Sequence, residues 1–108
     1  MTFRFQLATP DKVFFNGDAE SLVVPGPEGY FGILARHARM VAAVGTGILK
    51  IEAAGNPQLF VVDGGVAEVT PEETMILADV AIAASDSADA EEKLAEIKAT
   101  RRPQVSIR

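Results

Sequence analysis

The sequence predicts a mainly β fold, with an N-terminal β-sandwich followed by one short C-terminal α-helix. Short apolar segments recur every ~8–12 residues, separated by glycine, proline and asparagine turns, a spacing typical of sandwiches and barrels. At Ser85 the composition changes abruptly to alanine and charged residues. We therefore expect a sandwich domain over residues 1–84 and a helical segment with a tail over residues 85–108.

The strands are predicted from apolar patterning. In order they are residues 2–8, 13–15, 19–24, 40–44, 48–51, 59–62, 66–69 and 75–78, with 80–82 extending the last. Residues 2–8 alternate, with Phe3, Phe5 and Leu7 on one face, which indicates a half-buried strand. Residues 59–62 are apolar without alternation, which predicts burial on both faces. Turns are expected at Thr9-Pro10-Asp11, Asn16-Gly17, Gly45–Gly47, Gly55-Asn56-Pro57, Asp63-Gly64-Gly65 and Pro71-Glu72-Glu73.

Residues 23–40 form the most distinctive stretch. Three glycines and two prolines lie within eight of its residues. Because proline restricts φ and glycine permits positive φ, this composition predicts one particular backbone path. The strand is expected to break at Pro25-Gly26-Pro27, turn again at Glu28-Gly29 and resume over residues 30–34. The stretch ends in a basic patch around His37, so we expect a rim that makes contacts.

A helix is predicted from Ser85 to Thr100. Asp86 or Ser87 can cap it, and acidic residues near its start and basic residues near its end complement the helix dipole. About 14 residues would give a length of ~21 Å, and Pro103 is expected to end it. Its thin apolar stripe consists of Ala90, Leu94 and Ile97. A helix this short is marginal alone, so it should dock on the sandwich or on a partner.

Composition excludes several classes of protein. The net charge of −5 argues against binding to nucleic acid or to an anionic membrane surface. The absence of cysteine excludes disulfides and zinc-thiolate sites. The N-terminus lacks the pattern of a signal peptide, and no segment predicts membrane insertion. We expect a soluble intracellular protein, or one held at a membrane through another protein.

The residues offer no convincing catalytic site, metal site or cofactor site. His37 is the only histidine, and a base or metal ligand would need further strong partners. Ser21 lacks the surroundings of a nucleophile elbow. Glu28, with Asp18 and Glu20 before it, resembles solvated acids near turns more than a paired-acid site. The residues alone therefore predict a binding or structural module. A free-standing ligand-binding sandwich and a small hydrolase are the alternatives.

Residues 23–40 also resemble a known signature, P-x-x-x-G-x-x-G-I-L-P-x-H-A-P, of the epsilon subunit of bacterial F-type ATP synthase, called delta in mitochondria. Residues 60–69 are similar to the family's Y-V-x-G-G-F-x-E-V run, and residues 77–81 to its L-A-D-x-A run. Gly47-Ile48-Leu49 looks like its G-x-[IVL] strand start. The ordered set of matches spans residues 3–82.

This resemblance implies a ten-stranded sandwich at the foot of the central stalk, non-catalytic, coupling ion flow to ATP synthesis. The implied partners are the gamma subunit and the c-ring, with the alpha and beta subunits as further candidates through the C-terminal segment. The implied location is peripheral, on the cytoplasmic face of the bacterial inner membrane. The candidate c-ring contacts are Glu28, Gly29, Tyr30 and Phe31. The candidate gamma contacts are His37, Ala38, Arg39 and Met40.

The chain departs from the family pattern in places. Ala35 and Arg36 precede the histidine where the family usually has proline and glycine, and Arg39 replaces a proline. Family members carry a pair of C-terminal helices, whereas this sequence has room for one. We therefore expect little or no intrinsic inhibition of ATP hydrolysis. The family's nucleotide motif, [IL]-D-x-x-R-A, has no arginine counterpart near residues 87–93.

Overall fold

The computed structural model describes residues 1–101, which contain eight β-strands and one α-helix. They are β1 (Phe3–Thr9), β2 (Lys12–Ala19), β3 (Ser21–Gly26), β4 (Gly29–Leu34), β5 (Met40–Ala53), β6 (Asn56–Val69), β7 (Glu73–Ala78), β8 (Ala81–Ala84) and α1 (Ser87–Arg101). The prediction of a mainly β protein with one C-terminal helix is confirmed. The predicted helix stop at Pro103 lies outside the described residues.

The strands form two layers that share two long strands. The hydrogen-bonded order is β2-β1-β7-β6-β5-β3-β4, and β8 pairs separately with β6. β5 and β6 pair along their whole length, but β6 pairs with β7 through Gly65–Val69 and with β8 through Leu59–Val62. The first layer therefore comprises β2, β1 and β7 with one half of the β5–β6 hairpin. The second layer comprises β4, β3 and β8 with its other half.

The expected count of ten strands is wrong, because β5 and β6 are continuous where the sequence predicted breaks. The glycines at these places relieve crowding between strands. A Cβ atom on Gly45 would lie 2.8 Å from the carbonyl oxygen of Gly26. Gly64 and Gly65 have φ angles of 81° and 136°, which L-residues rarely adopt. These conformations let the chain pass from one layer to the other without a reversing turn.

Three predicted turns are also misplaced. Asn16-Gly17 lies inside β2, because the seven-residue β1 pairs with β2 up to Ala19. The chain reverses instead at Pro10-Asp11, within the turn predicted around Pro10. Pro25-Gly26 belongs to β3, and the following hairpin turns at Pro27-Glu28. The β5–β6 hairpin turns at Ala54-Gly55, one residue before the predicted position.

One apolar core lies between the two layers. The alternation predicted for β1 is confirmed, since Phe3, Phe5 and Leu7 are buried. The predicted two-sided burial within β6 is also confirmed: Phe60 and Val62 belong to the core cluster, whereas Val61 is fully buried outside that cluster. Because side chains alternate along a strand, Val61 faces the opposite side of the sheet, the side on which α1 packs against β5, β6 and β8.

The helix begins with a reciprocal cap. The Asp86 carboxylate accepts a hydrogen bond from Asp89 N at 2.8 Å, and the Asp89 carboxylate accepts one from Ser85 N at 2.9 Å. Lys93 donates to Asp89 at 2.7 Å, and this bond, with that from Ser85, lowers the pKa of Asp89. Ala90 is fully buried, so α1 docks on the sandwich. Nowhere in residues 1–101 does a helix combine the length and hydropathy needed to cross a membrane.

The turn at Ala54-Gly55 predicts a stabilising substitution. Ala54 and Gly55 have φ angles of 53° and 78°, as in the two-residue hairpin turn that favours Asn-Gly. Asparagine tolerates positive φ better than alanine, so Ala54→Asn should raise the free energy of unfolding by ~0.5–1 kcal/mol. Urea denaturation measures the change. Ala54→Val serves as the opposite control and should destabilise, and equal midpoints for both variants would contradict the reasoning.

A second stabilising substitution is predicted in the core. The hydroxyl oxygen of Thr74 is buried and has no hydrogen-bond partner within the part of the chain that the structure describes. Valine has nearly the same shape without the hydroxyl, so Thr74→Val should add about 1 kcal/mol to the free energy of unfolding. Thr70→Val is a matched control, because the Thr70 hydroxyl donates to Glu73 O and accepts from Glu73 N. Urea denaturation should therefore give shifts of opposite sign for the two variants.

Candidate partner-binding surfaces

The first set of candidate residues lies on the end of the β3–β4 hairpin, residues 24–31, which we call the hairpin tip. Gly26 pairs with Gly29, and Pro27-Glu28 form the loop between them. Glu28 and Gly29 are exposed, and Gly29 has a φ angle of 141°. Phe31 is half-buried and packs against the core. The loop itself is therefore the part of the hairpin tip best placed to meet a partner.

Tyr30 lies across the sheet instead of pointing away from it. Its hydroxyl oxygen accepts a hydrogen bond from Ile48 N at 3.0 Å. A Cβ atom on Gly47 would lie 2.6 Å from both the Tyr30 hydroxyl and the Pro25 Cβ, so the absence of a side chain at Gly47 makes room for the tyrosine. The side chain of Tyr30 remains 56% exposed, and it can still contribute apolar surface.

The second set of candidate residues lies in the connection between β4 and β5. Arg36 has a φ angle of 65°, and its backbone N donates to Pro71 O at 3.0 Å. The Nδ1 atom of His37 lies 2.8 Å from the carbonyl oxygen of Ala38, an arrangement in which Nδ1–H donates. Ala38 and Arg39 are exposed. Met40 begins β5 and packs partly against the core.

The structure does not bring these two sets of residues together. They lie at opposite ends of β4, which has six residues. At about 3.3 Å per residue, its ends are roughly 17 Å apart. The candidate residues therefore form two separate surfaces.

The sequence reasoning missed a third surface, on the outer side of the first layer. We call it the first-layer apolar face; its members are Val13, Val41, Val66, Met75 and Leu77, which are 38–72% exposed. Leu77 lies opposite Val66 on one side and Ala8 on the other, and Ala8 in turn lies opposite Val13. Val13, Ala8, Leu77 and Val66 therefore form an apolar row across four neighbouring strands, whereas Glu68 lies between Met75 and Val41 on the next row. Contiguous exposed apolar surface of this kind marks interaction sites.

The first-layer apolar face borders the second candidate set. Val41 is 72% exposed and directly follows Met40 in β5. The signal in the sequence was the run of apolar residues in β7, which is apolar on both faces. Ile76 and Ala78 are buried, whereas Met75 and Leu77 are exposed. An apolar residue on the outer side of an otherwise alternating strand is the feature that could have identified this surface.

The three candidate surfaces are of a kind that binds partners, and the acid and serine candidates for catalysis within residues 1–101 are not assembled into a site. Ser21 lies within β3, paired with Leu34 and Glu52, and not on a strand-to-helix turn. Asp18 lies in β2 and forms an exposed ion pair with Arg4 at 3.8 Å. Among the described residues, no three His, Asp or Glu side chains are grouped so that they could hold a metal ion.

Comparison with known proteins identifies a family. The model of the β-sandwich domain of the ATP synthase delta/epsilon chain matches residues 2–84. The ATP synthase epsilon chain 1 of Nitrobacter hamburgensis is 51% identical over 80 residues, which are 74% of this chain and 59% of that protein. The epsilon chain of Rhodopseudomonas palustris strain TIE-1 is 48% identical over 85 residues, 79% of this chain and 63% of that protein. The chain thus spans less than two thirds of the length of these relatives.

Two solved structures share the fold. A chain in the mitochondrial ATP synthase of Euglena gracilis, solved with OSCP, F1 and the c-ring, has a TM-score of 0.76 and 24% identity, covering 98% of this chain and 68% of that one. A chain in the central stalk and c-ring of the Tetrahymena thermophila mitochondrial ATP synthase has a TM-score of 0.66 and 16% identity, covering 94% and 92%. At these identities the likeness concerns the fold.

Proposed function

The chain belongs to the ATP synthase delta/epsilon family, and from this premise we propose that it is the epsilon subunit of the central stalk of an F-type ATP synthase. In this role it links the gamma subunit to the c-ring, turns with them, and couples ion flow to ATP synthesis without catalysing a reaction itself. The complex is membrane-associated, and we place the chain on its cytoplasmic face in a bacterium.

The first-layer apolar face carries this proposal. Its central row runs through Val13, Leu77 and Val66 across β2, β1, β7 and β6 to Ala43 of β5. Met75 and Val41 lie on the neighbouring row, with Glu68 between them, on the side of the segment His37–Met40. Burial of this surface against a partner would be favourable at about 25 cal/mol per Å². We propose that the gamma subunit covers the first-layer apolar face and contacts His37–Met40 at its border.

The hairpin tip supports a second contact, on a separate surface. Its loop, Pro27-Glu28, is exposed, and Glu28 offers a carboxylate at the end of the hairpin. Because this loop and His37–Met40 lie at opposite ends of β4, one rigid sandwich can hold two partners at once. We propose that the loop contacts the c-ring, so that the sandwich transmits torque between the c-ring and gamma.

The helix supports a proposal about regulation. α1 packs on β5, β6 and β8 through Ala90, and its cap and the Lys93–Asp89 ion pair are formed in this docked position. We propose that in this position α1 does not inhibit ATP hydrolysis. Contact with the alpha and beta subunits through the C-terminal segment is a further proposal.

Reconstitution tests the proposed function. The chain should co-elute with the purified gamma subunit of the same organism in gel filtration. Added to an ATP synthase lacking its epsilon subunit, in liposomes, it should restore ATP synthesis driven by an ion gradient. Separate elution together with tight binding of a sugar or other small ligand would instead favour a free-standing binding module.

A further inference from the structure

The hairpin tip lacks backbone pairing to β5, although Val24 and Phe31 within it pack in or against the core. Within the described residues of the chain, β3 pairs with β5 only through Ser21–Val23, opposite Lys50–Glu52, and β4 pairs only with β3. Beyond Val23, the two strands of the hairpin therefore continue as a ribbon without backbone pairing to β5. A two-stranded ribbon is marginally stable by itself. Its position therefore depends on side-chain contacts, those of Val24 and Phe31 with the core and that of Tyr30 with β5.

Proline removes one of the two hydrogen bonds that would extend the backbone pairing. The register that places Val23 opposite Lys50 would place Pro25 opposite Ile48, two residues further on. Proline has no N–H group and cannot continue the ladder as a donor. The backbone N of Ile48 donates to the hydroxyl oxygen of Tyr30 at 3.0 Å and not to a backbone carbonyl of β3. Tyr30 is itself the cross-strand partner of Pro25, so its side chain reaches past Pro25 to β5.

Two glycines of β5 allow the hairpin tip to approach this closely. A Cβ atom on Gly47 would lie 2.6 Å from the Tyr30 hydroxyl and from the Pro25 Cβ. A Cβ atom on Gly45 would lie 2.8 Å from the carbonyl oxygen of Gly26. Real Cβ atoms do not come within 3.0 Å of such neighbours. The hairpin tip thus rests on a surface of β5 that lacks side chains.

We propose that Tyr30 is a positioning residue, whose hydrogen bond to Ile48 holds the hairpin tip on β5 and so fixes the exposed loop Pro27-Glu28. The inference rests on the proposed function, in which that loop meets the c-ring. Tyr30 then acts mainly through Glu28 and its neighbours, and Gly47 is the position that accommodates it. The Tyr30 hydroxyl, 18 residues away in the sequence, accepts from Ile48 N just beyond the last residue pair between β3 and β5.

Amide hydrogen exchange on the full chain tests the attachment directly. Tyr30→Phe removes only the hydroxyl, so the Ile48 amide should exchange roughly three- to tenfold faster, the effect of losing one hydrogen bond. The amides of Glu28 and Gly29 should also exchange faster, because the loop is then held less firmly. Thr74→Val is the matched control, because it removes a hydroxyl that has no partner within residues 1–101, and it should not accelerate exchange at Ile48. Unchanged exchange at Ile48 in Tyr30→Phe would overturn the inference.

A second variant disturbs the same contact between Tyr30 and β5 by a change in β5. Gly47→Ala introduces a methyl group where Tyr30 and Pro25 lie, so it should also accelerate exchange at Ile48 while Tyr30 is retained. If this variant does not fold, the conservative change Tyr30→Phe still decides the question. Acceleration in a folded Gly47→Ala without acceleration in Tyr30→Phe would mean that packing, not the hydrogen bond, holds the hairpin tip.

The positioning role of Tyr30 is tested in the reconstituted ATP synthase. In reconstituted liposomes, Tyr30→Phe should lower the ratio of ions pumped to ATP hydrolysed, while gamma binding and the hydrolysis rate stay unchanged. An unchanged ratio alongside accelerated Ile48 exchange would mean that the hydrogen bond is only structural, and the proposed function would stand. If the unmodified chain fails to bind gamma and to restore coupling, the proposed function and the positioning role both fail.

Discussion

Gly65→Ala is expected to remove more than about 4 kcal/mol from the free energy of unfolding, or to prevent folding altogether. A Cβ atom at this position would overlap the carbonyl oxygen of Leu77 and lie 2.7 Å from the Cα atom of Ala78. Both neighbours are backbone atoms of β7, so no side-chain rotation can relieve the overlap. The φ angle of 136° adds conformational strain.

Gly29→Ala separates these two causes. Gly29 has nearly the same backbone angle, with φ at 141°, but a Cβ atom there would meet nothing within 4 Å. Its substitution should therefore cost only the strain term of about 1–3 kcal/mol. Urea denaturation of both variants measures the difference. Equal losses would show that backbone conformation, and not the contact with β7, requires glycine at position 65.

These glycines also explain which part of the fold the sequence could predict. Alternation placed Phe3, Phe5 and Leu7 inside, because a strand repeats every two residues whatever surrounds it. The break predicted at Asp63-Gly64-Gly65 was wrong, because glycine there serves a contact with β7 that lies outside the local sequence. Local pattern alone cannot distinguish a glycine that turns the chain from one that makes room for another strand.

The candidate surfaces show the same difference between features that local sequence signals and features that depend on distant contacts. The loop residues of the hairpin tip were found through a motif, because proline and glycine are local signals. The bond between Tyr30 and Ile48 joins β4 and β5, which are not neighbours in the sheet because β3 lies between them, so no local pattern indicates it. The first-layer apolar face was missed for a different reason. A continuous apolar run such as β7 predicts a strand, but it does not reveal whether its second face is covered by the same chain.

Charged substitutions at Leu77 are expected to abolish tight binding to the gamma subunit while leaving the chain folded. Leu77 is 44% exposed and lies opposite Val66 within the first-layer apolar face. Placing a charge at the centre of an apolar interface should cost about 2–4 kcal/mol of binding free energy, a roughly 30- to 700-fold weaker Kd. Because the position is exposed in the free chain, its stability should change by ~0.5 kcal/mol or less.

Two opposite charges and one distant control make this prediction specific. Leu77→Lys and Leu77→Glu should weaken binding similarly if gamma buries apolar surface there, whereas a simple charge effect would move the Kd in opposite directions. Val23→Lys is the matched control, since Val23 is 39% exposed but lies on β3 in the second layer. Calorimetric titration with gamma gives the three Kd values. Full affinity in both Leu77 variants would show that gamma does not bind the first layer. An interface that buries this row would have to desolvate either charge, and its affinity would fall.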